Sequence, residues 1–151
     1  MITIDELKDK LTDKARLIGL DLGTKRVGVA ICDDKRKIAT PLKTINYKNM
    51  SYLLGELKDI VKENRIFGII IGYPVNMDGT YGKSAQSIND KAIIIESEIN
   101  LLTVLWDERL STSGAFNISS NLDIKFTEKK KNIDENAAAF ILQGAIDFLN
   151  N

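Results

Sequence analysis

The chain contains no histidine, and this absence removes several common kinds of catalytic site. Without an imidazole there can be no serine or cysteine triad with a histidine base, no histidine phosphotransfer and no imidazole ligand for zinc. Proton transfer would fall to Asp, Glu, Lys or Tyr side chains, or to a water bound to a metal. Carboxylates are therefore the main candidates for chemistry.

The sequence is also poor in cysteine, with a single thiol in 151 residues. Cys32 can form no disulfide within the chain, and it closes an apolar stretch. A small sulfur-bearing side chain in that position is typical of core packing rather than of a nucleophile. We therefore predict that Cys32 is buried.

Long apolar runs and net charge are missing as well. No run of about 18 uncharged apolar residues occurs, and the first residues mix charged and apolar side chains, so we expect a cytoplasmic protein without a membrane segment. The 21 basic and 21 acidic side chains cancel, which excludes a strongly basic nucleic-acid binder. Basic clusters at 25–26, 35–37 and 125–131 would suit phosphates, although each is equally typical of a solvated surface.

What the chain does contain is a pattern of strands alternating with helices. Apolar stretches predict strands at 16–22, 27–32, 38–45, 67–72 and 101–106, and helical spacing predicts helices at 49–64, 85–99, about 112–120 and 137–149. The short link at 23–26 makes the first two strands antiparallel, and right-handed crossovers make the first, fourth and fifth parallel neighbours. Pro41 places the third strand at an edge.

The predicted fold is therefore α/β, a mixed five-stranded sheet with helices on both faces. Residues 1–14 are expected to form an N-terminal extension with a short helix, because Thr3 and Glu6 have the spacing of a capping box. Residues 15–151 are expected to form one domain, since a chain of this length supports a single core.

Acidic residues stand at three points where predicted elements end or begin. Asp21 ends the first strand, Asp107 and Glu108 follow the fifth, and Asp134 begins the last helix. Ligands in such sheets gather at the carboxyl ends of parallel strands, and carboxylates brought together there repel unless a hard cation is bound. The spacing thus predicts a Mg²⁺ or Mn²⁺ site.

Each acid also has a structural alternative. Asp21 would suit the cap of the following glycine turn, and Asp134 would suit the positive end of a helix macrodipole. Because adjacent strand residues point to opposite faces, only one of Asp107 and Glu108 should face the site. The other is expected to pair with Arg109 or to cap a helix, so the choice between the two acids stays open here.

The residues next to these acids resemble a known family. Four motifs occur in order: DLGTKRVGVA at 21–30, GYP at 72–74 followed by NMDGT at 76–80, DERL at 107–110, and Asp134 with Ala137 and Ala138. They resemble the YqgF family, described as pre-16S rRNA nucleases or Holliday-junction-resolvase-like proteins with a ribonuclease H fold. The resemblance covers residues 16–149. One departure is that the wider resolvase group has an acid at the end of strand 4, where this chain has Gly72, so the acid after strand 5 would have to compensate.

The resemblance implies a metal-dependent endonuclease acting on structured nucleic acid, with precursor rRNA favoured over a DNA junction and the ribosomal particle as a further partner. Asp21, Glu108 and Asp134 would be catalytic, and these three with Asp107 would hold the metal. Thr24, Lys25 and Arg26 follow Asp21 in a glycine-flanked turn that a phosphate can approach closely. Arg109 would bind either the scissile phosphate or the acidic pair.

Two other functions remain open. The DLGT motif at 21–24 also resembles the first phosphate-binding turn of actin-like ATPases and sugar kinases, but those proteins close two such domains over a nucleotide and this chain has length for one. A noncatalytic RNA-binding or ribosome-binding module with the same fold is the second alternative. Monomer and homodimer are both compatible with the sequence.

Overall fold

The fold follows the predicted alternation of strands and helices. A computed structural model describes residues 1–76, 78–110 and 133–151, with the backbone alone at 133–135. In chain order the elements are α1 (Ile4–Lys10), β1 (Arg16–Leu22), β2 (Arg26–Cys32), β3 (Ala39–Asn46), α2 (Met50–Asn64), β4 (Ile66–Tyr73), α3 (Lys83–Ile99), β5 (Leu102–Asp107), a 3₁₀ turn (Glu108–Leu110) and α4 (Ile133–Leu149). The five predicted strands are confirmed, as are the predicted helices with small shifts at their ends. The helix predicted at about 112–120 lies outside the described residues.

Local chemistry accounts for the ends of several helices. Thr3 begins α1 by accepting a hydrogen bond from the Glu6 N–H at 3.1 Å, which confirms the predicted cap. Asn49 accepts in the same way from the Tyr52 N–H at 2.8 Å. Arg65 and Asn100 end α2 and α3 in the left-handed region, at φ 53° and 60°.

The sheet has the order β3-β2-β1-β4-β5. β2 runs antiparallel to β1 and to β3, whereas β1, β4 and β5 are parallel. The predicted neighbours and directions are therefore confirmed. β3 is an edge strand, as Pro41 predicts, and β4 is an interior strand that is almost wholly buried.

Helices cover both faces of the sheet, so the core has two layers. One layer lies under α2 and α3 and includes Ile18, Leu20, Ile69, Ile71, Leu57 and Ile95. The other lies under α1 and α4 and includes Leu7, Leu17, Ile70, Trp106, Leu142 and Ile146. Burying a large apolar side chain contributes about 1.5–3 kcal/mol relative to exposing it, so these two layers dominate the stability of the domain.

The N-terminal residues pack onto the second layer. The Ile2 N–H donates to the Thr103 carbonyl at 3.1 Å, and Leu7 of α1 is fully buried. The boundary between residues 14 and 15 stays a prediction. Within the described ranges, no helix combines the length and the apolar character needed to cross a bilayer.

Cys32 is buried at the end of β2, where its Sγ accepts a hydrogen bond from the Leu17 N–H at 3.3 Å. Burial is the largest cause that raises the pKa of this thiol above its ordinary value. The predicted packing role is confirmed.

Candidate metal and nucleic-acid site

The alternation of β1 places Asp21 on the α4 side of the sheet. Leu17 belongs to the core layer under α4, and Gly19 lies against that helix, whereas Ile18 and Leu20 belong to the opposite layer. Asp21 continues the odd-numbered series at the carboxyl end of the strand. It is partly buried and is engaged in an interaction within the protein.

Glu108 reaches the same side from β5. Trp106 lies in the layer under α4, and Glu108 is the next position in that alternation, in the turn that directly follows the strand. The pKa of Glu108 is raised, first by burial, then by the charge of Asp21 and last by that of Asp107. The structure thus brings Asp21 and Glu108 into electrostatic contact.

Gly72, the glycine at the end of β4, makes room for this second acid. A Cβ added to Gly72 would lie 2.5 Å from Oε1 of Glu108 and would also collide with Cδ1 of Ile141 in α4. Gly72 pairs with Trp106 of β5, so it lies at the sheet end between the two acids. The Glu108 carboxylate therefore occupies the space of a missing β4 side chain. The sequence identified Gly72 only as a position that lacks an acid, and nothing in its pattern indicated this steric role.

Asp107 is held by Arg109 instead. The Arg109 Nε donates to both carboxylate oxygens at 3.2 and 3.1 Å, and its Nη2 donates to Oδ2 at 2.8 Å. The Arg109 backbone N–H adds a bond to Oδ1 at 2.9 Å. These bonds, led by those of the side chain, lower the pKa of Asp107 below its ordinary range. The expectation that one of the two acids pairs with Arg109 is confirmed, and that acid is Asp107.

The predicted phosphate donors lie in the turn between β1 and β2 and at the first residue of β2. Thr24, Lys25 and Arg26 are all exposed there, next to the strand that carries Asp21. A Cβ on Gly23 would lie 2.5 Å from the Arg26 carbonyl oxygen, so this tight turn requires glycine. At the end of β1, the N–H of Gly23 donates to the Asp21 carbonyl at 3.1 Å.

The loop after β4 contains a hydrogen-bonded turn built from residues that are typical of turns. Asp78 Oδ1 accepts from the N–H of Thr80 at 2.9 Å and from its hydroxyl at 2.6 Å, and the Asn76 N–H donates to the Thr80 carbonyl at 2.9 Å. Gly79 has φ 88°, the left-handed region that favours glycine. Asn76, Asp78 and Thr80 thus have structural roles in the turn.

The structure describes only the backbone of Asp134, the predicted metal ligand in α4. Asp134 is the second residue of α4, but its side chain lies outside the described residues, as does the basic cluster at 125–131. Among the residues that the structure describes, no three carboxylates or thiols lie close enough together to hold a metal. The described part of the site is the pair Asp21 and Glu108.

Comparisons with known proteins agree with the fold and the motifs. A family model described as "RuvX: Holliday junction resolvase" matches residues 15–148. A protein of Pelagibacter ubique (strain HTCC1062), named "Putative pre-16S rRNA nuclease", is 63% identical over 151 residues and covers 100% of both chains. A protein of the same name from Rhodobacter capsulatus is 43% identical over 146 residues, which are 97% of this chain and 92% of the relative.

The solved structure of T. thermophilus RuvC in complex with Holliday junction substrate shows the same fold. Its TM-score is 0.56 at 10% identity, and the match covers 87% of this chain and 93% of that chain. The predicted ribonuclease H-like fold is thereby confirmed. The relatives carry the rRNA nuclease name that the motif resemblance implied. Since the family model spans almost the whole chain and a full-length relative is 63% identical, the chain belongs to the RuvX family.

Proposed function

We propose that the protein is a metal-dependent endonuclease that hydrolyses phosphodiester bonds in structured nucleic acid, with precursor 16S rRNA as its substrate. The observation that carries the proposal is the half-buried Glu108 carboxylate, whose pKa is raised by burial and by the charge of Asp21. Two acids in this position repel each other, and a divalent cation between them would relieve that repulsion.

The donor set fits a hard cation. Carboxylate oxygens are the ligands that Mg²⁺ and Mn²⁺ prefer, and Asp21 and Glu108 supply them from two strand ends. We assign the third ligand to Asp134, which lies four residues before Ala138 and seven before Ile141 in α4. Residues at this spacing lie on one face of a helix, and that face of α4 contacts the sheet.

Bound there, the metal would lower the pKa of a bound water and stabilise the charge that develops on the phosphate. The protein itself would hold the acids at fixed positions and orient the nucleic-acid strand. We assign contacts with neighbouring phosphates to Thr24, Lys25 and Arg26, which are exposed beside Asp21. Asp107 holds Arg109 at the edge of the site in this assignment.

Precursor rRNA is favoured as substrate because the relatives are named for it. That role would place the protein in the cytoplasm with the precursor ribosomal particle as its partner. Cleavage of a four-way DNA junction is the second candidate, supported by the description of the family and by the fold shared with RuvC.

The test is incubation of the purified protein with a precursor 16S rRNA fragment and with a four-way DNA junction, in Mg²⁺, in Mn²⁺ and in chelator. The proposal predicts metal-dependent cleavage of the rRNA. Asp21→Asn and Glu108→Gln should each slow cleavage by about 100-fold or more, a loss of roughly 2.7 kcal/mol of transition-state stabilisation. Asp59→Asn and Glu63→Gln, both on the exposed side of α2, are the matched controls.

The outcomes separate the alternatives. Cleavage of neither substrate, or cleavage that survives Asp21→Asn, contradicts a metal-dependent nuclease. Cleavage of the junction alone favours the resolvase-like activity, and RNA binding without cleavage favours a noncatalytic module. A titration with ATP tests the actin-like alternative, which requires micromolar affinity.

A further inference from the structure

A groove of about 370 Å³ lies at the carboxyl ends of β4 and β5, on the side of the sheet that α3 covers. It is separate from the acidic pair, because Leu105 and Asp107 of its wall alternate with Trp106 and Glu108, which face α4. Its volume falls within the range of small-molecule sites. Its lining includes the side chains of Tyr73, Val75, Tyr81, Asn89, Leu105 and Arg109.

Two tyrosines form one wall of the groove. The rings of Tyr73 and Tyr81 meet edge to face, with centroids 5.4 Å apart and planes at 63°. Tyr81 is 66% exposed, so its ring is oriented by Tyr73 but remains accessible to solvent. An aromatic ring held in this way offers a stacking surface.

The guanidinium of Arg109 supplies a second flat surface. Its Nε and Nη2 are fixed by Asp107, and its Nη1 donates to the Asn76 carbonyl at 3.3 Å. Because Asp107 balances its charge, Arg109 is poorly suited here to bind a phosphate. A guanidinium held in a plane stacks well on aromatic ligands instead.

The remaining wall combines apolar contact with one amide. Val75 and Leu105 offer apolar surface, and the Asn89 side chain from α3 can both donate and accept hydrogen bonds. A neutral, flat ligand with hydrogen-bonding edges matches this set of groups. A nucleobase has this chemistry.

We propose that this groove binds one unpaired nucleobase of the substrate. The proposal rests on the proposed function for the identity of the ligand as nucleic acid. Asp107 of the groove and Glu108 of the acidic pair are adjacent residues, with Cα atoms about 3.8 Å apart. The two side chains point to opposite faces of the sheet, so the groove and the acidic pair lie on either side of the same strand end, and the proposal takes the bound base from a nucleotide near the cleaved bond. The groove selects strands with an unpaired nucleotide beside the cleaved bond and disfavours continuous duplex.

Binding in chelator tests the groove independently of cleavage. The probes are a fluorescently labelled single-stranded RNA of 12 nucleotides and the blunt duplex of the same sequence, measured by anisotropy. Tyr81→Ala should weaken single-strand binding by roughly 5- to 150-fold, the equivalent of stacking one base. Tyr81→Phe keeps the ring face and should stay within about 2-fold of the unchanged protein.

Arg109→Lys keeps the charge but loses the planar fork, and it should also weaken single-strand binding. Tyr52→Ala removes an exposed tyrosine from α2 and is the matched control, expected to bind as the unchanged protein does. Thermal unfolding of every variant confirms that it is folded. Duplex binding should be the same for all of them.

Any of three results would contradict base binding in the groove. They are no binding of single-stranded RNA, unaltered binding by Tyr81→Ala, and equal loss of single-strand and duplex binding in that variant. These results can be distinguished from those that contradict the proposed nuclease function. Tyr81-dependent binding by a protein that cleaves nothing contradicts only the proposed function. If the protein cleaves its substrate but Tyr81→Ala leaves single-strand binding unchanged, only the proposal of base binding in the groove is contradicted.

Discussion

Oε1 of Glu108 lies 2.5 Å from the position that a Cβ on Gly72 would occupy. Cδ1 of Ile141 in α4 borders the same space, so a side chain on Gly72 would displace the Glu108 carboxylate or Ile141 from its position. The carboxylate beside the end of β4 thus comes from the turn after β5, and a glycine in β4 permits it. The position of Glu108 therefore depends on the residue at position 72.

Gly72→Ala is predicted to displace Glu108 and to lower cleavage by about 100-fold. Overpacking of this kind typically destabilises a protein by about 1–3 kcal/mol, which thermal or urea unfolding will measure. Gly55→Ala in α2 is the control, because a Cβ there meets no atom within 4 Å among the described residues. It should retain activity and gain up to about 1 kcal/mol from helix propensity.

Adding Ile141→Val to Gly72→Ala separates the loss of protein stability from the displacement of the Glu108 carboxylate. The shorter side chain relieves the apolar collision but leaves the one with Glu108. We expect stability to recover in part while cleavage stays low. Full recovery of cleavage in the double variant would show that Gly72 does not position Glu108.

The fold was predictable because its signals are periodic, whereas much of the site depends on contacts between elements. Asp21 was identifiable as a carboxylate at the end of an apolar strand, and alternation predicted that only one of Asp107 and Glu108 faces it. Choosing between the two required knowing that Arg109 turns back onto Asp107. No local sequence pattern encodes that contact.

The groove wall formed by Tyr73 and Tyr81 was missed for a related reason. The edge-to-face contact joins a strand end to a loop whose conformation depends on the turn at 76–80. Loop residues have no period from which a shared surface can be inferred. In the sequence, Tyr73 and Tyr81 are eight residues apart, and nothing indicates that their rings meet.

Glu108→Gln is predicted to stabilise the protein in chelator at neutral pH. The pKa of Glu108 is raised in the folded state, so the folded protein holds this proton more tightly than the unfolded chain does. The ionisation of Glu108 therefore lowers the free energy of unfolding as pH rises from the ordinary glutamate range through the raised pKa. Removing that charge should raise Tm by about 2–4 °C, equivalent to roughly 1 kcal/mol.

Two further measurements check this explanation. The difference in Tm between Glu108→Gln and the unchanged protein should vanish at acidic pH, where Glu108 is protonated in both states. Mg²⁺ should stabilise the unchanged protein and have little effect on the variant. Glu63→Gln controls for the amide substitution, and a lower Tm of Glu108→Gln in chelator would contradict the prediction.

Asp107→Asn should weaken substrate binding without altering the metal requirement. The hydrogen bonds from Arg109 lower the pKa of Asp107, so this pair contributes stability above the ordinary aspartate range and loses it as pH falls through the lowered value. The amide releases Arg109 from its fixed plane. The measurements are KM and the Mg²⁺ concentration for half-maximal cleavage. A rise of about 10-fold in the latter, the size expected for a damaged metal site, would identify Asp107 as a ligand.

Cys32 is predicted to resist thiol reagents in the native protein. Its thiol is 1% exposed and its pKa is raised by burial, so both access and thiolate formation are suppressed. Labelling should be slow until denaturant unfolds the chain and fast afterwards, which absorbance of a disulfide reagent will follow. Native labelling as fast as that of the unfolded chain would show that β2 opens readily.

Asp134→Asn distinguishes a metal ligand from an acid that only complements the dipole of α4. A carboxylate in the first turn of a helix contributes about 0.3–1 kcal/mol, so a dipole role predicts that small loss of stability with cleavage intact. A ligand role predicts loss of cleavage by about 100-fold, a weaker response of Tm to Mg²⁺, and little change in Tm in chelator. Cleavage assays and unfolding with and without Mg²⁺ decide between them. Asp147→Asn, near the other end of the same helix, is the matched control and should leave cleavage unchanged.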